Sequence, residues 1–207
     1  YNNYSININD LPKWFLSNTK NLNNFQKKIL IQNMIKQPTL HVVFKNKENL
    51  QKYKKLGKLT SRKSMGLSKE FNFNDIPNYE KGEWWIQDFS AMLPLSLIKI
   101  KKFNQIADVC TAPGGKLFQI LSENKNVIPY EMNKKRMLKL NKNLNRLKYD
   151  LKLKNNNFLN INNNQKFDFI VLDAPCSAIG TLRRNPDILI KKNIPNFKKL
   201  IENQKDL

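Results

Sequence analysis

A chain of 207 residues has room for one full domain and a smaller second one. Hydrophobic residues make up 40% of it, and no apolar run reaches the roughly 18 needed to cross a bilayer, which excludes a membrane-spanning helix. Lysine and arginine outnumber aspartate and glutamate 37 to 16, and the formal net charge of +21 favours a polyanionic partner, since neutralised phosphates release their counterions.

Residues 11–37 read as helical: Pro12 suits a first turn, and Trp14, Phe15, Phe25, Ile29, Leu30 and Met34 supply apolar faces. Leu40-His41-Val42-Val43-Phe44 reads as a strand, with His41, the one histidine, a strand residue without a role. From Lys45 to Asn78 a lysine-rich helix (Glu48 to Leu56) sits among short polar turns. These elements predict a small α+β module over residues 1–80.

A different texture begins at Gly82 and predicts a second domain over residues 81–207. Glu83 to Ile86 reads as a short strand, and Asp88 is placed to N-cap the next helix. Phe89, Met92, Leu93 and Leu97 make its apolar stripe, and Pro94 removes a backbone bond and predicts a bend. Next come strand Ile106 to Val109, helix Lys116 to Ser122, strand Val127 to Tyr130 and helix Asn133 to Tyr149. A possible strand at Leu151 to Leu153 precedes strand Phe167 to Leu172. Strands and helices in alternation imply the α/β class, a parallel sheet with right-handed crossovers.

Two runs carry the chemistry. Cys110-Thr111-Ala112-Pro113-Gly114-Gly115-Lys116 follows one apolar strand, and Asp173-Ala174-Pro175-Cys176-Ser177 follows another. Both therefore belong at the carboxyl edge of the sheet, where open α/β folds bind ligands. Gly114 and Gly115 let the backbone approach a ligand, and Lys116 adds a positive charge. The glycine spacing fits neither the dinucleotide fingerprint nor a phosphate-binding Walker loop. Glu131, an acid about 20 residues past such a turn, is placed to bond ribose hydroxyls. A ligand with a ribose and a carboxylate fits both features, and S-adenosylmethionine has both.

Asp173 ends its strand with a carboxylate facing the crevice. Cys176 reads either as a thiolate favoured by a basic surface or as a small buried apolar residue. Lys134, Lys135, Arg136, Lys139, Lys142 and Arg146 read as a solvated face of one helix, with Met137, Leu140, Leu144 and Leu147 toward the core. Arg183 and Arg184 are the better RNA candidates, because arginine forks suit phosphates. The chain's two cysteines make no disulfide framework, so a reducing, cytoplasmic setting is expected. No histidine, cysteine and acid cluster has metal spacing.

Asp173 to Ser177, with Gly180 and Arg183-Arg184-Asn185-Pro186-Asp187, resembles the RNA cytosine-5 methyltransferases of the Sun/Fmu (RsmB-like, NOL1/NOP2/Sun) family. Cys110 to Lys116 resembles that family's cofactor loop. Gln87-Asp88-Phe89-Ser90-Ala91 is similar to the entry to its catalytic domain, and Pro12-Lys13-Trp14-Phe15-Leu16 to the start of its preceding module. The resemblance implies a Rossmann-like S-adenosylmethionine-dependent methyltransferase sheet, with its last strands missing here, and RNA, above all ribosomal RNA, as substrate.

The chemistry explains the parts. Carbon 5 of cytosine is a poor nucleophile, so a thiolate first adds at carbon 6 of an unstacked base. The enamine takes the methyl group, a base removes the carbon-5 proton, and the thiol leaves. The resemblance implies that Cys176 assists product release, and that the nucleophile sits in a later Thr-Cys-Ser loop, beyond Leu207. The resemblance also implies that Asp173 holds the cytosine edge or the cofactor side of the pocket.

Two departures stand out. Asn157 matches the acid that the family uses for adenine, and Val42-Val43-Phe44 stands where its first module has Arg-Val-Asn. The chain starts at Tyr1 without methionine and ends in helix-like sequence, so it reads as a fragment, an inactive monomer binding the cofactor weakly at most. Two rivals stay open: a non-catalytic RNA-binding protein that kept the fold, and a methyltransferase of exocyclic amines, which needs no thiol.

Overall fold

The computed structural model describes residues 11–36, 38–69, 71, 73–151, 153, 158–160, 164–185, 187–190 and 196–207. In chain order these form α1 (Lys13–Asn18), α2 (Asn24–Ile35), β1 (His41–Phe44), α3 (Lys47–Lys52), β2 (Gly57–Ser61), β3 (Ser64–Leu67), β4 (Trp84–Ile86) and α4 (Phe89–Ser96). There follow β5 (Ile106–Val109), α5 (Gly115–Leu121), β6 (Val127–Tyr130), α6 (Lys134–Arg146), β7 (Phe169–Leu172), α7 (Asp187–Ile190) and α8 (Phe197–Asp206). The chain divides into two compact units, Tyr1–Pro38 with Pro175–Lys205, and Thr39–Ala174 with Asp206–Leu207.

In the first unit, Leu11, Trp14, Phe15 and Ile31 pack with Leu182 and Ile188. The helix expected over residues 11–37 is two helices. The Ser17 hydroxyl and the Asn18 amide donate to the Trp14 carbonyl, and the Thr19 hydroxyl to that of Phe15, which closes α1. Asn23 then opens α2 with a reciprocal capping pair to Gln26.

The second unit holds two sheets. The parallel one has the order β6-β5-β7, and β5 is buried along its whole length, as a central strand covered on both faces must be. The chain steps from β5 to β6 on one side and reaches β7 on the other. Connections therefore diverge at the carboxyl end of β5, the place where such sheets bind ligands. The parallel sheet expected from the alternating elements is present, in the Rossmann-like arrangement that the family resemblance implied.

The antiparallel sheet, ordered β2-β3-β1-β4, corrects the reading of residues 45–86. The lysine-rich helix stops at Lys52, with one further 3-10 turn at Lys54–Leu56. The stretch read as polar turns forms the β2–β3 hairpin instead. Its first strand shows little burial, so it carries no apolar alternation to detect. β4, assigned to the second domain, pairs with β1, setting Val43 opposite Trp85 and Phe44 opposite Trp84.

Successive side chains then point to opposite faces. Trp84 joins Val42, Phe44, Leu50, Tyr53 and Met65 in one core. Trp85 and Val43 join the core of the parallel sheet, where the Trp85 ring meets Phe118 edge-on at 5.8 Å. The boundary expected at residue 80 thus falls inside one compact unit.

Helix details differ too. α4 runs through Pro94 to Ser96 and buries Met92 and Leu95, not the expected Leu93 and Leu97, which is 77% exposed. The helix ends before a turn that would bring Leu97 back to the core. α6 stops at Arg146, and Leu140, Leu144 and Leu147 form its buried stripe. Arg146 flanks that stripe rather than facing solvent: its guanidinium lies 3.7 Å from the centre of the Tyr79 ring and donates to the Tyr79 and Trp84 carbonyls. The possible strand 151–153 includes residue 152, outside the described residues.

Candidate active site

The loop after β5 is built by its neighbours. Cys110 takes a left-handed φ of 62°, which turns the chain across the sheet edge. The Thr111 amide then donates to the Tyr130 carbonyl at 3.2 Å, tying the loop to the end of β6. Glu131, 6% exposed, accepts from the Ala112 amide at 3.3 Å and the Asn133 amide at 2.9 Å. Arg136 lies 3.5 Å from the same carboxylate and donates to the Ala112 carbonyl. Asn143 donates to the Pro113 carbonyl at 3.1 Å. Arg136, read as part of a solvated face, is therefore a loop clamp.

Gly114 sits at φ 111° just before α5, and a Cβ there would lie 2.3 Å from the Phe118 ring. Only glycine serves. The Cys110 thiol is pushed up by burial first and then by the Glu131 charge, so it stays protonated and packs beside Val109 and Tyr130. The loop's two ends are thus a closed network, while Gly115 and Lys116 begin α5.

Asp108 is the residue that sequence reasoning missed. It is wholly buried in β5, and its Oδ2 accepts from the Thr111 hydroxyl. Its Oδ1 is buried with no partner. Burial pushes the carboxyl up to about 7, the Thr111 bond and the Lys116 charge opposing and Asp173 adding to the rise. The available signal was a lone acid among three apolar strand residues, two positions before the glycine loop begins to turn away.

The second run meets the first. The Asp173 amide donates to the Val109 carbonyl at 3.3 Å, continuing the β5–β7 ladder. Its carboxylate pairs with Lys116 at 2.6 Å, with side chains 60% and 20% exposed respectively. Gly114, Lys116, Glu131 and Asp173 therefore share one rim of the parallel sheet.

Cys176, Arg183 and Arg184 belong to the first unit. The Cys176 thiol is exposed and accepts from the Ala178 amide at 3.4 Å. Arg183 donates to the Lys36 carbonyl at 3.4 Å, and burial lowers the Arg184 guanidinium pKa. Asn157 lies outside the described residues. Among those described, no group of three histidine, cysteine or acidic side chains is placed to hold a metal, and no helix is long and apolar enough to cross a membrane.

A doubly wound sheet with a glycine turn at its switch point and an acid closing the next strand defines a Rossmann-like nucleotide-binding unit. Comparison with known proteins sharpens this. The sequence model of the 16S rRNA methyltransferase RsmB/F family matches residues 95–207, and the chain belongs to that family.

Ribosomal RNA small subunit methyltransferase B of Proteus mirabilis is 34% identical over 141 residues, 66% of this chain and 33% of that protein. Its counterpart in Yersinia enterocolitica is 36% identical over 120 residues, 56% of this chain and 28% of that one. The chain thus spans about a third of the length of the curated relatives it matches.

Two solved structures are similar in fold. A methyltransferase homolog from Pyrococcus horikoshii superposes with a TM-score of 0.66 at 25% identity, covering 85% of this chain and 63% of that one. NSun6 from the same organism, solved with SFG, gives 0.72 at 17% identity, covering 94% and 78%.

Proposed function

We propose that this chain is the cofactor-binding part of an enzyme that methylates carbon 5 of a cytosine in RNA, ribosomal RNA above all, with S-adenosylmethionine as donor. The observation that carries the reading is the 2.6 Å Lys116–Asp173 pair, which joins the glycine loop to the run after β7 at the sheet's switch point. The family membership and the names of the relatives support the same reading.

The residues present fit the cofactor. Gly114 and Gly115 leave the backbone bare, and the unpartnered Asp108 Oδ1 is a buried acceptor beneath the loop. A carboxylate has about four acceptor sites, so Glu131 can share one with a ribose hydroxyl while keeping its amide partners. Asn157 is assigned to the adenine. When bound, the cofactor supplies an electrophilic methyl group on a sulfonium. Lys116 holds the Asp173 carboxylate in place, and Asp173 accepts from the cytosine edge. Cys176 releases the methylated base, and Arg183 and Arg184 contact the RNA backbone.

Cross-linking of radiolabelled S-adenosylmethionine to the chain tests this. We expect capture that S-adenosylhomocysteine displaces, weakened at least tenfold by Lys116→Ala or Glu131→Ala. RNA retention with no cofactor capture would instead identify an RNA-binding protein that kept the fold. Nucleoside analysis of RNA methylated by the whole enzyme of which this chain is proposed to be the cofactor-binding part separates 5-methylcytosine from a methylated exocyclic amine, the product of the other rival.

A further inference from the structure

We infer that the edge of the parallel sheet opposite the glycine loop carries a second RNA contact, a basic cleft that holds backbone phosphates. The inference rests on the RNA reading above and extends it to a surface remote from the cofactor.

The cleft, about 730 Å³, opens between the β2–β3 turn, the end of α4 with the connection to β5, and the end of α5. α5 starts at the glycine loop and runs back across the sheet, so its last turn lies by the amino ends of the strands. Buried Met92 and Leu95 line the floor, and Leu97 is the exposed lip. Arg62, Lys63, Lys99 and Lys101 supply cations from two separate chain segments.

One acid lines it, Glu123, and Lys63 already pairs with that carboxylate at 2.6 Å while donating to the Ser122 carbonyl at 3.0 Å. Among the described residues no ion pair engages Arg62, Lys99 or Lys101. The concave surface therefore keeps an uncompensated positive charge, which repels itself until an anion arrives. The excess extends along this edge: burial chiefly, then the charges of Lys148 and Lys125, lower the pKa of the Lys45 ammonium.

A single small anion would engage one of these groups. A polyanion engages all of them, because its phosphates repeat along a strand that can follow the cleft. An RNA lying across the rim would thus meet cations at both edges of the sheet.

The test is fluorescence anisotropy of a short single-stranded RNA on the full chain, between about 50 and 200 mM salt, where phosphate contacts dominate the salt dependence. The triple change Arg62→Glu, Lys99→Glu, Lys101→Glu should raise Kd at least tenfold and flatten the log–log salt slope by about 2, near 0.7 per lost contact. Cofactor capture should be unchanged. The milder Arg62→Ala, Lys99→Ala, Lys101→Ala set guards against misfolding and should act in the same direction.

Wild-type Kd and slope in both folded variants would overturn the inference, and loss confined to Arg183→Ala with Arg184→Ala would leave the function standing without it. Equal displacement of the RNA by an acidic peptide would overturn it in favour of an acidic protein partner. A wild-type chain that binds no RNA would sink the RNA reading itself.

Discussion

The two sheets of the second unit use equally short strands, three to five residues each, yet they do different work. Each strand of the parallel sheet leads to a polar residue of the proposed site: Thr111 beyond β5, Glu131 after β6 and Asp173 after β7, with Asp108 one position inside the end of β5. In the antiparallel sheet the polar positions are spent on the sheet itself, where Thr60, Ser61 and Ser64 bond one another through their hydroxyls at 2.8 and 2.6 Å. β5, buried along its whole length, leaves only its end open to the crevice. The hairpin divides differently: β3 is buried along its length while β2 is buried at no position.

The comparison breaks first at Gly114. Gly114→Ala should cost about 3 kcal/mol or more, from left-handed strain and collision with Phe118 and Leu140, and lower Tm by roughly 10 °C. A thermal melt that matches the wild type would show that the rim is no more constrained than the hairpin.

Next is Asp108, whose folded pKa of about 7 lies above its ordinary 3.8. The proton-bound native state is therefore favoured below about pH 4, and that contribution is lost as pH rises through 7. Asp108→Asn should be more stable than the wild type at pH 8, by about 3 kcal/mol at most, with the gap closing toward pH 4. Urea unfolding at three pH values reads it, and a gap independent of pH would refute the protonated, buried carboxyl.

The smallest effect belongs to the hairpin. Leu59 on β2 is 44% exposed, and Leu59→Thr should change stability by less than about 0.5 kcal/mol in the same unfolding assay. A larger loss would mean that β2 is covered in solution.

Legibility followed the same divide. β5 and β6 were readable to the residue because each is a short, mostly apolar stretch, and its punctuation is the loop that follows. Gly114, Lys116, Glu131 and Asp173, which share one rim and belong to the proposed site, were picked out from that punctuation. The β2–β3 hairpin was not, since Gly57-Lys58-Leu59-Thr60-Ser61 pairs through backbone bonds and shows no apolar alternation.

Asp108 escaped for the opposite reason: one acid inside an apolar strand looks like an exception until its Thr111 partner is seen. Arg136 and Arg146 escaped because charge on a helix says nothing about which residues border the buried stripe.

Those two arginines have a joint consequence. One grips the loop at Ala112 from the start of α6, the other grips Tyr79 and Trp84 from its end. The helix works as a strut whose angular phase sets both grips at once. A single residue inserted between them would twist the clamps by about 100° relative to each other, so that one end could stay latched only by releasing the other.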